Sequence, residues 1–186
     1  MKINIKNMVC DRCSSAVTTL FKDLNIPISR LELGEVETVH QLTQAELAIL
    51  NDHLKKQGFE LLEDAIRTQI EQIKKVIIIK INELDIPEDF ILSKFITNQF
   101  SKDYSLLSKN FSQNENVTLE QYFILQKIEK VKELLLYNEF TLTEISQKLG
   151  YKSVQHLSTQ FKNTTGFTPT SFKGLKSKNR ISLDQI

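Results

Sequence analysis

The chain has 186 residues, 40% of them hydrophobic, with 24 Lys and Arg against 23 Asp and Glu, five Gly, three Pro and two Cys. That length holds one or two domains and the composition is that of an ordinary soluble, mostly helical protein. The longest apolar run, Val76–Ile79, is far short of a membrane span, and Met1–Lys6 is too short and polar for a signal peptide, so the chain is expected in the cytoplasm and off the membrane.

Ile3 and Ile5 alternate with Lys2, Asn4 and Lys6 as in a half-buried strand. Met8, Cys10 and Cys13 then lead into a helix whose inner face carries Val17, Leu20 and Leu24. Leu31 and Leu33 alternate again, Gly34 offers a turn, and Val36 starts a third strand. Thr43 and Glu46 form a capping box for a helix that buries Leu47, Leu50 and Leu54; Gly58 stops it, and 59–62 is the last strand. The order βαββαβ predicts a ferredoxin-like domain over residues 1–64.

Both cysteines lie in the first strand-to-helix loop. Amides at a helix N-terminus stabilise thiolates, and soft thiolates select Cu(I) or Zn(II). The Met8-Val9-Cys10-Asp11-Arg12-Cys13 loop resembles that of heavy-metal-associated domains, with Asn7 where that family usually has glycine. The resemblance implies a metal site at Cys10 and Cys13, with His40 or His53 as further ligands only if the fold brings them near. A redox dithiol and a vestigial loop in a domain used for partner contact are the alternatives.

After Glu63 and Asp64, an isoleucine stripe of Ile66, Ile70, Ile73 and Ile77, extended by Leu84, predicts a helix that could also serve as a dimer seam. Pro87 ends that segment. From Thr118 to Asn138 a capping box (Thr118, Gln121) opens one helix of roughly 20 residues, or about 30 Å, burying Tyr122, Leu125, Ile128, Val131 and Leu135 along one side. Thr141 with Glu144 caps another helix, with Leu142, Ile145 and Leu149 on one face and Gly150 as its stop. Ser153 caps the next, which buries Val154, Leu157 and Phe161. Two short helices joined by a glycine turn make a helix-turn-helix.

The last helix carries Lys152, Ser153, Gln155, His156, Thr159 and Lys162 outward with no carboxylate among them. Gln can bond adenine bidentately, a Thr methyl can meet a thymine methyl, and Lys suits phosphates. A shift of fifty positions superposes Leu92 on Leu142, Phe95 on Ile145, Asp103 on Ser153, Leu107 on Leu157 and Phe111 on Phe161. The chain therefore holds a second copy of the unit, with Lys102, Ser105, Leu106, Lys109 and Ser112 facing outward.

These residues, LTEISQKLGYKSVQHLSTQFKNTTGFTPTSFK above all, resemble the DNA-binding domain of AraC-family transcriptional regulators over residues 65–175. The resemblance implies seven helices, with two helix-turn-helix units on a linking helix. Phe100 and Ser101 stand where family members often have a glycine turn, Lys127 where arginine is usual, and Asn116 where the second unit has Gly166. Asparagine tolerates the left-handed conformation that glycine would supply there.

The fold class expected is therefore α+β: an N-terminal ferredoxin-like domain followed by an all-α domain with two helix-turn-helix units and a flexible tail at 176–186. The basic residues of the tail region, Lys173, Lys176, Lys178 and Arg180, could hold phosphates. The function expected is sequence-specific binding of double-stranded DNA, by a monomer or homodimer, with a soft metal as candidate ligand and no enzymatic activity. The competing classes are a metal-handling protein whose helical part contacts another protein, and a dithiol redox protein.

Overall fold

A computed structural model describes residues 1–62 and 64–175. The chain divides into two compact units, Met1–Lys75 and Val76–Ile186.

In the first unit the elements run β1 (Lys2–Lys6), α1 (Asp11–Asp23), β2 (Ile28–Glu32), β3 (Glu35–Thr38), α2 (Gln44–Lys56) and β4 (Glu60–Leu62). The strands form one antiparallel sheet in the order β2-β3-β1-β4, with Ile3 opposite Val36 and Ile5 opposite Leu61. The alternation read from β1 is real: Ile3 and Ile5 are buried with Val17, Leu20 and Phe21 of α1, Val36 of β3 and Leu50 and Leu54 of α2. Gly34 turns β2 into β3 at φ 79°. The expected capping box at Thr43 and Glu46 is formed, and its amide and hydroxyl bonds hold the Glu46 carboxyl below the ordinary range. Asn7 adopts φ 70°, a left-handed conformation that asparagine tolerates as glycine does, and its side chain donates to the Gly58 carbonyl at 2.8 Å.

The division between units falls inside α3 (Ala65–Asn82), capped by Asp64, whose carboxylate accepts from the amides of Ile66 and Arg67. The isoleucine stripe is shifted from its expected position. Ile70, Ile73 and Ile77 are buried, as are Ile78 and Ile81, whereas Ile66 is exposed and Leu84 lies beyond the helix at φ 54°. These isoleucines are covered within the chain itself, which leaves them unavailable for the dimer seam.

The second unit continues with α4 (Leu92–Phe100), α5 (Tyr104–Asn114), α6 (Leu119–Tyr137), α7 (Leu142–Lys148), α8 (Val154–Thr165) and α9 (Pro169–Gly174). Its capping boxes at Thr118/Gln121 and Thr141/Glu144 are both present. The linking helix α6 departs from a one-sided stripe: Gln126, Lys127, Glu129 and Lys132 are buried beside Tyr122, Ile128, Val131 and Leu135. Helices pack around it on several sides, so its polar positions had to be satisfied in place, as where Lys132 donates to Glu129 at 2.9 Å. Asn116 is not left-handed as anticipated, because α5 ends in extended geometry at Glu115 (φ −110°, ψ 152°) where α8 ends on a left-handed Gly166. No helix among the described residues is long and apolar enough to cross a membrane.

Candidate nucleic-acid interface

In the second copy of the repeat, Thr141 starts α7 by accepting from the Glu144 amide while Glu144 accepts from the Thr141 amide at 2.7 Å. Ile145 and Leu149 bury the inner face, and Gly150 makes the turn at φ 66°. Ser153 then opens α8, its hydroxyl oxygen accepting from the His156 amide at 3.1 Å. Leu157 and Phe161 anchor α8 in the core, Phe161 edge-on to Phe172 of α9 with centroids 5.5 Å apart. With that face fixed, Lys152, Ser153, Gln155, His156, Thr159 and Lys162 are all brought to the surface together. Ser153 serves as cap through its oxygen, which leaves its hydrogen free to donate outward. No carboxylate occurs anywhere in α8.

The first copy has the same outline with a different charge. Ser101 supplies the left-handed turn residue (φ 49°) that ends α4, so Phe100 does not prevent the turn. Lys102, Ser105, Leu106, Lys109 and Ser112 lie exposed on one side of α5, while Leu107 and Phe111 are buried. Yet the cap is Asp103 in place of Ser153, and its carboxylate accepts from the Ser105 and Leu106 amides and from the Ser105 hydroxyl. Those bonds, the Ser105 hydroxyl first, hold the Asp103 carboxyl below the ordinary range, so it is anionic at neutral pH. Tyr104 donates to Glu120 at 2.5 Å, which puts a second carboxylate near the same end of α5. An N-terminus that reads bases must come close to phosphates, and two carboxylates there oppose that approach. Of the residues assigned to this copy, Lys102 and Lys109 are exposed, whereas Ser105 is committed to Asp103.

Two residues that hold this face in place were not legible as such. Tyr151, 4% exposed, donates its hydroxyl to Gln160 at 2.8 Å, and the Lys127 ammonium from α6 sits 3.7 Å from the centre of its ring. Burial pulls the Lys127 pKa from an ordinary 10.5 down to about 8. The unfolded chain then holds that proton more tightly than the folded one. The cost of burying the charge is fully present below pH 8, shrinks as pH rises, and is gone above 10.5. For burial alone the gap amounts to roughly 3 kcal/mol; the ring face, by favouring the cation, narrows it by up to about 2 kcal/mol and lifts the pKa part of the way back toward 10.5. Lys127→Met is therefore expected to raise stability at pH 7 by about 1–3 kcal/mol and to abolish the gain that the wild type shows between pH 8 and 10. Urea denaturation across that range checks both; a less stable Met variant would mean that the cation–ring contact outweighs the burial cost.

In the first unit, the Cys10 and Cys13 sulfurs lie 3.5 Å apart, with Cys10 as the N-cap of α1 and Met8 buried in the core beneath the loop. Burial pushes the Cys13 thiol up, outweighing the backbone at Val9, which pulls it down. The helix terminus alone therefore does not make Cys13 a thiolate. Among the described residues no group of three or more His, Cys, Asp or Glu could hold a metal, so neither His40 nor His53 completes a site of that size. The basic positions Lys176, Lys178 and Arg180, and the tail at 176–186, lie outside the described residues, as does Glu63; Lys173 is exposed at the end of α9.

Comparison with known proteins bears on the helices of the second unit. A family model described as a helix-turn-helix domain matches residues 96–174. An uncharacterized HTH-type transcriptional regulator of Escherichia coli, YdiP, is 22% identical over 160 residues, covering 84% of this chain and 50% of its own length. The xylose operon regulatory protein of Escherichia coli is 31% identical over 74 residues, 40% of this chain and 19% of that protein. Among solved structures, the C-terminal domain of AraT, a response regulator from Geobacillus stearothermophilus, superposes with a TM-score of 0.51 at 21% identity, over 64% of this chain and 89% of that one. The chain thus spans half or less of the length of these two regulators.

Proposed function

We propose, on the premise that residues 96–174 form an AraC-type helix-turn-helix DNA-binding domain, that this chain regulates transcription by reading double-stranded DNA through α8. The observation that carries the proposal is the exposed, carboxylate-free face of Lys152, Ser153, Gln155, His156, Thr159 and Lys162, set on a helix fixed by its opposite side. In this reading Gln155, His156 and Thr159 contact base edges in the major groove, and Lys152 and Lys162 hold phosphates. The DNA-binding domain extends over 65–175, and Lys102, Ser105 and Lys109 of the first copy contribute backbone contacts more than base reading, given Asp103 and Glu120 beside them. The 19 residues of α6 span about 28 Å. That length supports placing both copies in successive major grooves about 34–36 Å apart, without a second chain. Reading DNA in this way involves no enzymatic step and would place the chain in the cytoplasm.

Residues 1–64 we read as a ferredoxin-like domain, supported by its β1-α1-β2-β3-α2-β4 order and its sheet order β2-β3-β1-β4. Cys10 and Cys13 fit a soft ion held by two sulfurs, which suits Cu(I); they are two ligands short of the usual structural zinc site. Binding there would supply a metal signal only if one arrangement of the chain held the ion more tightly, a coupling that is typically 1–3 kcal/mol and reciprocal.

One experiment tests both levels. Duplexes are selected from random DNA with the full chain and with Cys10→Ser/Cys13→Ser, each with and without Cu(I) and Zn(II). The expected result is one enriched sequence in every arm, with Cu(I) shifting wild-type affinity about 5- to 150-fold and leaving the double variant unmoved. Enrichment without any metal effect would remove the metal signal and keep the DNA reader; no enrichment in any arm would remove the reader.

A further inference from the structure

Tyr151 stands between the linking helix and the reading helix, and it is held from three directions. Lys127 of α6 covers one face of its ring at 3.7 Å, its hydroxyl donates to Gln160 at 2.8 Å, and its amide donates to the Ser146 carbonyl at 2.8 Å. A ring fixed at face, hydroxyl and backbone keeps one orientation. Against it lies the His156 imidazole, with centroids 5.4 Å apart and planes at 80°, the edge-to-face arrangement that aromatic quadrupoles favour. His156 is nonetheless exposed at the start of α8, where a recognition helix meets bases. Gln155 and Thr159, its neighbours on that face, have among the described residues no hydrogen bond or ring contact that fixes their side chains.

We propose that Tyr151 is a positioning residue for base reading: it holds the His156 imidazole in the orientation that meets one base pair, so that specificity there depends on a buried residue. The inference rests on the reading of α8 above, in which His156 contacts a base. A side chain that is already oriented loses less rotamer freedom on binding, and it keeps its donor or acceptor aimed at one base edge while others would require it to turn. Lys127 and Gln160 act one step further back, by holding Tyr151.

The test uses the full chain and the duplex recovered from random DNA, with every single-base-pair substitution of that duplex, and compares wild type, His156→Ala, Tyr151→Leu and Tyr151→Phe. The expected result is that His156→Ala flattens preference at one base pair. Tyr151→Leu should lower preference at that same base pair roughly 3- to 10-fold and leave the others sharp, while Tyr151→Phe, which keeps the ring and both ring contacts, restores it. If Tyr151→Leu does not fold, Tyr151→Met fills the space without a ring and takes its place. A uniform loss across all base pairs, or an unchanged profile, would make Tyr151 a structural residue only and overturn the inference. A profile unmoved by His156→Ala would overturn it differently, by showing that His156 reads no base.

Discussion

Gly150→Ala is expected to destabilise the chain by about 2–4 kcal/mol, the sum of strain at a left-handed residue and overpacking against atoms that cannot yield. Gly150 sits at φ 66°, and a methyl group there would lie 2.7 Å from the Pro87 carbonyl oxygen, 2.8 Å from the Ile86 side chain and 2.9 Å from the Ile86 carbonyl oxygen. The Ile86 segment is itself tied down, its amide donating to Lys148 at 3.0 Å beside a parallel bridge to Leu149. Two of the three obstructing atoms are backbone, so relief requires moving the segment that braces the turn. Gly166 is the control. It has a similar φ of 81°, but a methyl group there meets nothing within 4 Å, so Gly166→Ala should cost only the conformational strain of about 1–2 kcal/mol. Thermal melts followed by circular dichroism compare the two variants. A Gly150→Ala melt no lower than that of Gly166→Ala would mean that the turn is not braced by Ile86 and Pro87.

The second large effect concerns the reading face. Alanine at Gln155, His156 or Thr159 should each cost roughly 1–3 kcal/mol on the preferred duplex, and the triple variant should lose most discrimination between that duplex and unrelated DNA, with the losses not strictly additive. Binding to unrelated duplex should persist, because Lys152 and Lys162 remain to hold phosphates, and it should stay sensitive to salt. The side chains removed are exposed and uninvolved in the core, apart from the His156 ring against Tyr151, so folding should be nearly unaffected.

Much of the fold was legible because its signals are local. Capping boxes at Thr43, Thr118 and Thr141 satisfy orphan amides with residues three positions away, and period-2 and period-3.6 burial marked β1, α1, α2 and α8. The fifty-residue repeat correctly paired Leu107 with Leu157 and Phe111 with Phe161, all four of them buried. It misplaced Phe95, which is only half-buried where its counterpart Ile145 is fully buried; Ile96 takes the core position in α4. What stayed hidden was set by packing between distant segments. The sequence shows Lys127 as a polar position on a helix, but not that Tyr151, 24 positions later, would cover it. Nor does it show that Gly150 would lie against Ile86 and Pro87. The Ile-Pro pair at 86–87, the Gly-Tyr pair at 150–151 and Lys127 are sequence traces of those contacts, and each has many other uses.

One measurement tests base reading by α8 most directly: the affinity ratio between the duplex recovered from random DNA and a scrambled duplex of the same composition, for wild type and for the Gln155→Ala/His156→Ala/Thr159→Ala variant, at one fixed salt concentration. Wild type is predicted to favour the recovered duplex by a factor of at least about 1,000 and the triple variant to bind both duplexes nearly alike, with its affinity for the scrambled one unchanged. A triple variant that keeps the wild-type ratio would contradict the assignment of α8 as the element that reads DNA.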